Sequence, residues 1–228
     1  MKYRILAIAV LLFLANSLVG SGLAYKDTYV RVAILKDASS LDLLVSGPYQ
    51  IVDANNKVLF KANNLNSKVI MAPEGLYISG INLKSEKVII RPKNQDSIRV
   101  NGRRFRSDVI LIGKKSGILA VNILNLEDYV KGVLYHEISH YWPMEAIKAQ
   151  AVVSRTFALY QTAMNKDKEY DLTSDIYSQV YGGRTSERWR TSIAVDKTRG
   201  QVIKYQGKIL PSFFHATCAG MTEDAAEL

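Results

Sequence analysis

Glu137 continues an apolar helical stripe made by Leu126, Val130, Val133, Leu134 and Ile138. It lies four residues after Val133 and three after Leu134, on the face such a helix turns to the core. Burial disfavours a charged carboxylate and raises its pKa. A carboxyl kept protonated near neutral pH is what a general acid requires. The bland alternative is a helix end facing water, because Pro143 follows six residues later. Two cations, Lys148 and Arg155, interrupt the next apolar segment at a spacing of seven, hence on one helix face. A buried arginine needs a carboxylate or a ligand. Arg155 therefore reads either as half of an internal ion pair or as a cation lining the cleft that Glu137 faces. A polar, aromatic loop follows, from Thr173 to Gly183. Its Asp175, Gln179 and Tyr181 suit a sugar, since rings stack on its faces while amides and carboxylates take its hydroxyls. Surface loops share that composition.

His136-Glu137-Ile138-Ser139-His140 also matches H-E-x-x-H, in which two histidines hold zinc from one helix face and the glutamate activates water. Such a site needs a third ligand. His215 and Glu169 are the candidates, and neither sits in a recognisable motif. Pro143 disfavours helix at Trp142, which would push the motif into a last turn. A zinc protease is thus the distant alternative.

The elements that must position these residues change character near residue 125. From Tyr29 to Leu124 the pattern is strand-like, with β-rich runs at 30–34, 57–61, 88–90, 97–100, 109–112 and 118–121. Asp53-Ala54-Asn55-Asn56, Asn101-Gly102 and Lys115-Ser116-Gly117 are turn signals, and Asn-Gly predicts a two-residue hairpin. From Asn125 the period becomes helical. Asn125 can cap a helix whose first turn carries Glu127 and Asp128, where negative charge suits the dipole. Pro143 opens a second, largely buried helix running to Asn165. A third is predicted from Ser186 to about Thr198, stopping at Gly200, and a hairpin pairs 201–205 with 208–210. The predicted fold class is α+β: a β-rich N-terminal half, then a helical catalytic half with a terminal β-hairpin.

The chain has 228 residues, 48% hydrophobic and 22% charged, which excludes a disordered or collagen-like chain. Its single cysteine, Cys218, excludes an intramolecular disulfide and a multi-cysteine zinc site. Lys2 and Arg4, the apolar run Ile5–Ala15 and small residues up to Ala24 predict a signal peptide over 1–24, or an uncleaved anchor. The expected product is exported, wall-associated or tethered to the membrane by its N-terminus. The net charge of +9 favours anionic partners, with nucleic acid the least plausible outside the cell.

Longer blocks carry a resemblance. They are Leu126-Glu127-Asp128-Tyr129-Val130-Lys131-Gly132-Val133 with Glu137, and Trp142-Pro143-Met144 running on to Ala158 through Gln150 and Arg155. Ser178-Gln179-Val180-Tyr181-Gly182-Gly183, Thr198-Arg199-Gly200-Gln201-Val202 and the segment 214–224 follow in order. Together they resemble the SpoIID/LytB family, which includes stage II sporulation protein D and the amidase enhancers, from about Val30 to the C-terminus. On that resemblance, 28–124 is the β-rich scaffold or recognition part of one SpoIID-like domain and 125–228 its helical catalytic part. It implies a peptidoglycan lytic transglycosylase acting on glycan strands stripped of stem peptides, in wall remodelling or sporulation. The catalytic glutamate falls on Glu137 and an important arginine on Arg155. Lys148, Asp175, Gln179, Tyr181, His215 and Thr217 complete the expected substrate-binding set. The implied partners are glycan strands and an N-acetylmuramoyl-L-alanine amidase. A non-catalytic, glycan-binding amidase enhancer is the runner-up. No cofactor is implied. Some members bind zinc through cysteines, but Ser178 stands where a cysteine would, and His215 with Cys218 makes only two ligands. No tight metal is therefore expected. Ala219 replaces an expected glycine, and the family domain usually continues beyond Glu227-Leu228, so a C-terminally shortened domain of uncertain activity is expected.

Overall fold

The computed structural model describes residues 28–94, 97–214 and 220. The predicted leader or anchor, 1–24, lies outside these residues, as do His215, Thr217 and Cys218. No helix among the described residues is long and apolar enough to cross a membrane.

The strands are β1 (Tyr29–Ala38), β2 (Ser40–Asp53), β3 (Val58–Ala72), β4 (Gly75–Ile78), β5 (Ile81–Asn82), β6 (Lys87–Pro92), β7 (Ile98–Val100), β8 (Arg103–Phe105), β9 (Asp108–Lys114) and β10 (Gly117–Asn125). Later come β11 (Leu172–Thr173), β12 (Lys204–Tyr205) and β13 (Lys208–Ile209). The main sheet runs β11-β1-β10-β9-β6-β2-β3-β4-β5, with the β7–β8 hairpin attached to β2. Its pairs are antiparallel except β1–β11, where Val32 faces Leu172 and Ala33 faces Thr173 in parallel.

Period-two alternation explains why β9 and β10 read as unbroken apolar runs. Val109, Leu111, Ile118 and Ala120 join the principal core. Ile110, Ile112, Leu119 and Val121 form a second apolar cluster with Ala33. Successive side chains face opposite sides of a strand, so both faces here bury apolar surface. The Asn101-Gly102 turn joins β7 to β8 with φ of 48° and 79°, as expected of a two-residue hairpin. β2 was not legible in the sequence as one strand, because Gly47 and Pro48 interrupt it. The structure accommodates them in a register slip between Val45 and Pro48.

Three helices follow: α1 (Leu126–Glu137), α2 (Met144–Met164) and α3 (Trp189–Lys197). Asn125 caps α1, its side chain accepting from the Glu127 N–H at 2.9 Å. Leu126, Val130, Val133 and Leu134 are buried, each contributing about 1.5–3 kcal/mol relative to exposure. Pro143 stands at the cap of α2, one residue outside the helix. The predicted third helix is two pieces, a 3-10 turn over Gly183–Ser186 and then α3. The terminal hairpin is narrower than predicted and turns at Gln206-Gly207, with φ of 48° and 78°. The fold is thus α+β, and one core spans strands and helices alike.

Candidate active site

Glu137 is the last residue of α1. Ile138 leaves the helix with φ −147° and ψ 142°, so Glu137 sits where the buried stripe meets a surface cleft. It is half-buried, between the core-facing and water-facing expectations. The Val180 N–H donates to its carboxylate, which favours the charged form. Burial works the other way and is the stronger effect, so the carboxyl is held above its ordinary value. The cleft has a volume of about 370 Å³. Phe157 and Gln161 of α2, the loop residues Ile176, Tyr177, Ser178 and Val180, and Phe213-Phe214 line it beside Glu137. The Phe157 and Phe213 rings meet edge-on at 6.3 Å between centroids. Such a wall offers faces to a sugar ring, and Glu137 is the single carboxylate lining it among the described residues.

The loop that carries Val180 is held from beneath. The Tyr129 hydroxyl donates to Gln179 Oε1 at 3.1 Å, and the Tyr181 hydroxyl donates to Asn122 Oδ1 at 2.9 Å. The Gly182 N–H donates to the Gly132 carbonyl at 3.2 Å. A Cβ on Gly132 would stand 2.5 Å from the Tyr181 ring, so the close helix–loop approach requires glycine there. Burial, with Tyr181 and then Glu137 nearby, pushes the Tyr129 phenol well up.

These contacts correct the expectation for Gln179 and Tyr181. Each is 1% exposed, facing inward between α1 and the sheet, where no sugar reaches. They position the loop. Gln179 Nε2 has no hydrogen-bond partner among the described residues. Asp175 is also outside the cleft. It accepts from the Thr173 hydroxyl at 2.6 Å and the Tyr177 N–H at 3.1 Å, and lies 3.6 Å from Lys36. The Thr173 bond holds its carboxyl below the ordinary value, with smaller help from Tyr177 and Lys36.

Arg155 is fully buried and does not line the cleft. Its Nε and Nη2 meet the two Glu127 carboxylate oxygens at 2.9 and 2.7 Å. Its remaining N–H groups reach the Gln201 and Val195 carbonyls at 3.1 and 3.2 Å. The Gly200 N–H completes the set by donating to Glu127 at 3.1 Å. The internal ion pair is the arrangement found: one guanidinium ties α1, α2 and the end of α3 together. Lys148 bonds Glu145 at 2.7 Å on the first turns of α2, likewise away from the cleft.

The H-E-x-x-H residues do not make a zinc pair. The helix ends at Glu137, so His140 falls outside it and stacks on Tyr141 at 4.0 Å. His136 Nε2 lies 2.7 Å from Ser186 Oγ. Burial and Arg188 lower its pKa.

Sequence reasoning missed the Val180 amide, the Tyr129 support and the Phe157–Phe213 wall. A backbone donor leaves no side-chain signal, and phenylalanines 56 residues apart signal nothing until folded.

The profile of the Stage II sporulation protein family, SpoIID, matches residues 114–205. An uncharacterised protein of Brachyspira hyodysenteriae is 33% identical over 199 residues, covering 86% of this chain and 54% of that protein. The Amidase enhancer of Bacillus subtilis is 35% identical over 99 residues, 43% of this chain and 13% of that protein. Stage II sporulation protein D of Bacillus subtilis is 27% identical over 164 residues, 64% of this chain and 47% of that protein. The chain spans about half the length, or less, of these curated relatives.

Proposed function

Because the chain belongs to the SpoIID/LytB family, we propose that it is an exported lytic transglycosylase that cuts peptide-stripped glycan strands through Glu137. The observation that carries this reading is a lone, half-buried carboxyl, held above its ordinary value, in an aromatic-walled cleft. Hydrolysis by two carboxyls needs a second acid about 5–9.5 Å away, and the cleft lining supplies none among the described residues. A transglycosylase needs one. Protonated Glu137 donates to the glycosidic oxygen between MurNAc and GlcNAc as the C1–O bond breaks. The resulting carboxylate takes the proton of the MurNAc C6 hydroxyl, and O6 bonds to C1. The products are a free GlcNAc hydroxyl and a 1,6-anhydro end. No water is consumed, and Glu137 returns to its acid form.

The similarity to the Amidase enhancer over 99 residues favours a second reading, a glycan-binding protein that assists a separate amidase without cleaving. One experiment separates the two. The purified protein is incubated with amidase-stripped strands, and products are analysed by mass spectrometry beside Glu137→Gln and a chelator control. The lytic reading expects anhydro-ended fragments that vanish in Glu137→Gln and persist with chelator. Binding without cleavage by the wild type would overturn it in favour of the enhancer.

A further inference from the structure

A second cavity, of about 640 Å³, lies on the β-rich half and shares no lining residue with the Glu137 cleft. The register slip in β2 lies at its border, where Pro48 lines it. Gly47, at φ +89°, donates its N–H to Asn64 Oδ1 at 2.8 Å, and the Lys93 N–H donates to the Pro48 carbonyl at 2.8 Å. Beyond the slip, β2 runs between β3 and β6. Gln50 pairs with Lys61 on one side and with Arg91 on the other. Directly opposed residues in antiparallel strands point to the same face, with Cβ atoms about 4.5–5.5 Å apart. An amide is thus flanked by two cations across three strands, and Lys93 adds a third at the edge.

Arg91 bonds Asp108 at 2.8 Å and Asn56 at 3.4 Å, which uses two of the five N–H donors a guanidinium carries. Lys61 and Lys93 have no ion-pair partner among the described residues. Pro48 and Pro92 supply apolar surface beside these polar groups, while Tyr49, 4% exposed, belongs to the core beneath. The charge of the chain is concentrated in the same half. Residues 28–124 hold fifteen Lys and Arg against seven Asp and Glu, while 125–228 hold twelve against thirteen.

We propose that this groove binds a peptide-free glycan strand through the lactyl carboxylates of its muramyl residues. The inference rests on the substrate assigned above. Cutting away a stem peptide frees one carboxylate on each muramyl sugar, so a stripped strand is a regularly spaced polyanion with apolar ring faces. Lys61, Arg91 and Lys93 meet the carboxylates, Gln50 meets hydroxyls, and Pro48 and Pro92 meet ring faces. The charge of the β-rich half then selects stripped strands and brings them to the protein.

The test uses the full chain carrying Glu137→Gln, so that binding is read without turnover. Affinity is measured for amidase-stripped strands and for the same strands with their carboxylates converted to amides. Adding Lys61→Glu and Lys93→Glu, both exposed, is expected to weaken binding to stripped strands by about tenfold or more, at an unchanged thermal midpoint. Binding to the amidated strands is expected to stay the same. The parent's affinity for stripped strands is expected to fall with salt. Equal binding of stripped strands with and without the two substitutions would overturn the proposal. So would an equal loss on amidated strands. Should the wild type release no anhydro ends, the lytic reading fails, and carboxylate-dependent binding still upholds the groove.

Discussion

At the first turn of α1, Glu127 is 2% exposed and meets Arg155 through both oxygens. At the last turn of the same helix, Glu137 has no ion-pair partner among the described residues and meets one backbone N–H. Both residues were legible in the sequence, and both sit beside buried apolar positions. The difference is the guanidinium. A carboxylate bonded through both oxygens to a buried arginine is used to hold elements together. A half-buried carboxyl without a cation keeps its proton to higher pH and can give it away. The two ends of one helix thus separate a carboxylate held in a buried ion pair from one that has no cation partner among the described residues and lines a cleft.

That contrast can be broken at either end. The largest effect is expected from Glu137→Gln, which should slow release of anhydro-ended fragments by about 10²–10⁴-fold without lowering the unfolding midpoint. A Glu137→Gln protein that still cuts would remove the chemical role. Next, Arg155→Met leaves the Glu127 charge buried and unpaired, and should cost about 3–5 kcal/mol in urea denaturation. If this variant unfolded like the parent and lost only glycan binding, Arg155 would be a ligand after all. Tyr129→Phe is expected to be milder. It removes the donor to Gln179, a buried group left unsatisfied, at about 1–3 kcal/mol. It should also shift the pH profile of cleavage, because the same loop aims the Val180 amide at Glu137.

The pH dependence of Glu137 has a definite sign. Its folded pKa lies above the unfolded one, so the native state binds more protons and loses stability as pH rises through the folded value. Glu137→Gln should therefore be slightly the more stable at neutral pH, by thermal melting. That advantage should vanish below the ordinary carboxyl range, where both states of the parent are protonated. Partial exposure keeps the gain small. The smallest effect belongs to Lys148→Gln. Its Glu145 partner is exposed, and such a pair contributes little, so its denaturation midpoint should match the parent's.

The strands at 30–34, 88–90, 98–100, 109–112 and 118–121 could be read directly because β-branched runs between turn signals have few alternatives. β2 was hidden because Gly47 and Pro48 look like a break, whereas the flanking strands pair across the slip. In the loop from Thr173 to Gly183, composition offered Asp175, Gln179 and Tyr181 as sugar ligands, a composition that surface loops share. Its inward and outward positions were unreadable, since the loop has no period to sort them. Packing against Tyr129, Gly132 and Asn122 turned Gln179 and Tyr181 inward and left Ile176 and Tyr177 exposed.

The sequence by itself determined the α+β division, the cap at Asn125, the apolar stripe of α1 and the position of Glu137 on it. These depend on local periodicity and on side-chain chemistry that neighbours in the chain display. Only the tertiary structure decided that Arg155 spends its donors on Glu127, that Val180 offers its amide to Glu137, and that Lys61 and Arg91 flank Gln50. Each of those joins residues far apart in the chain, and such pairings form only when helix and strand faces bury together in one core.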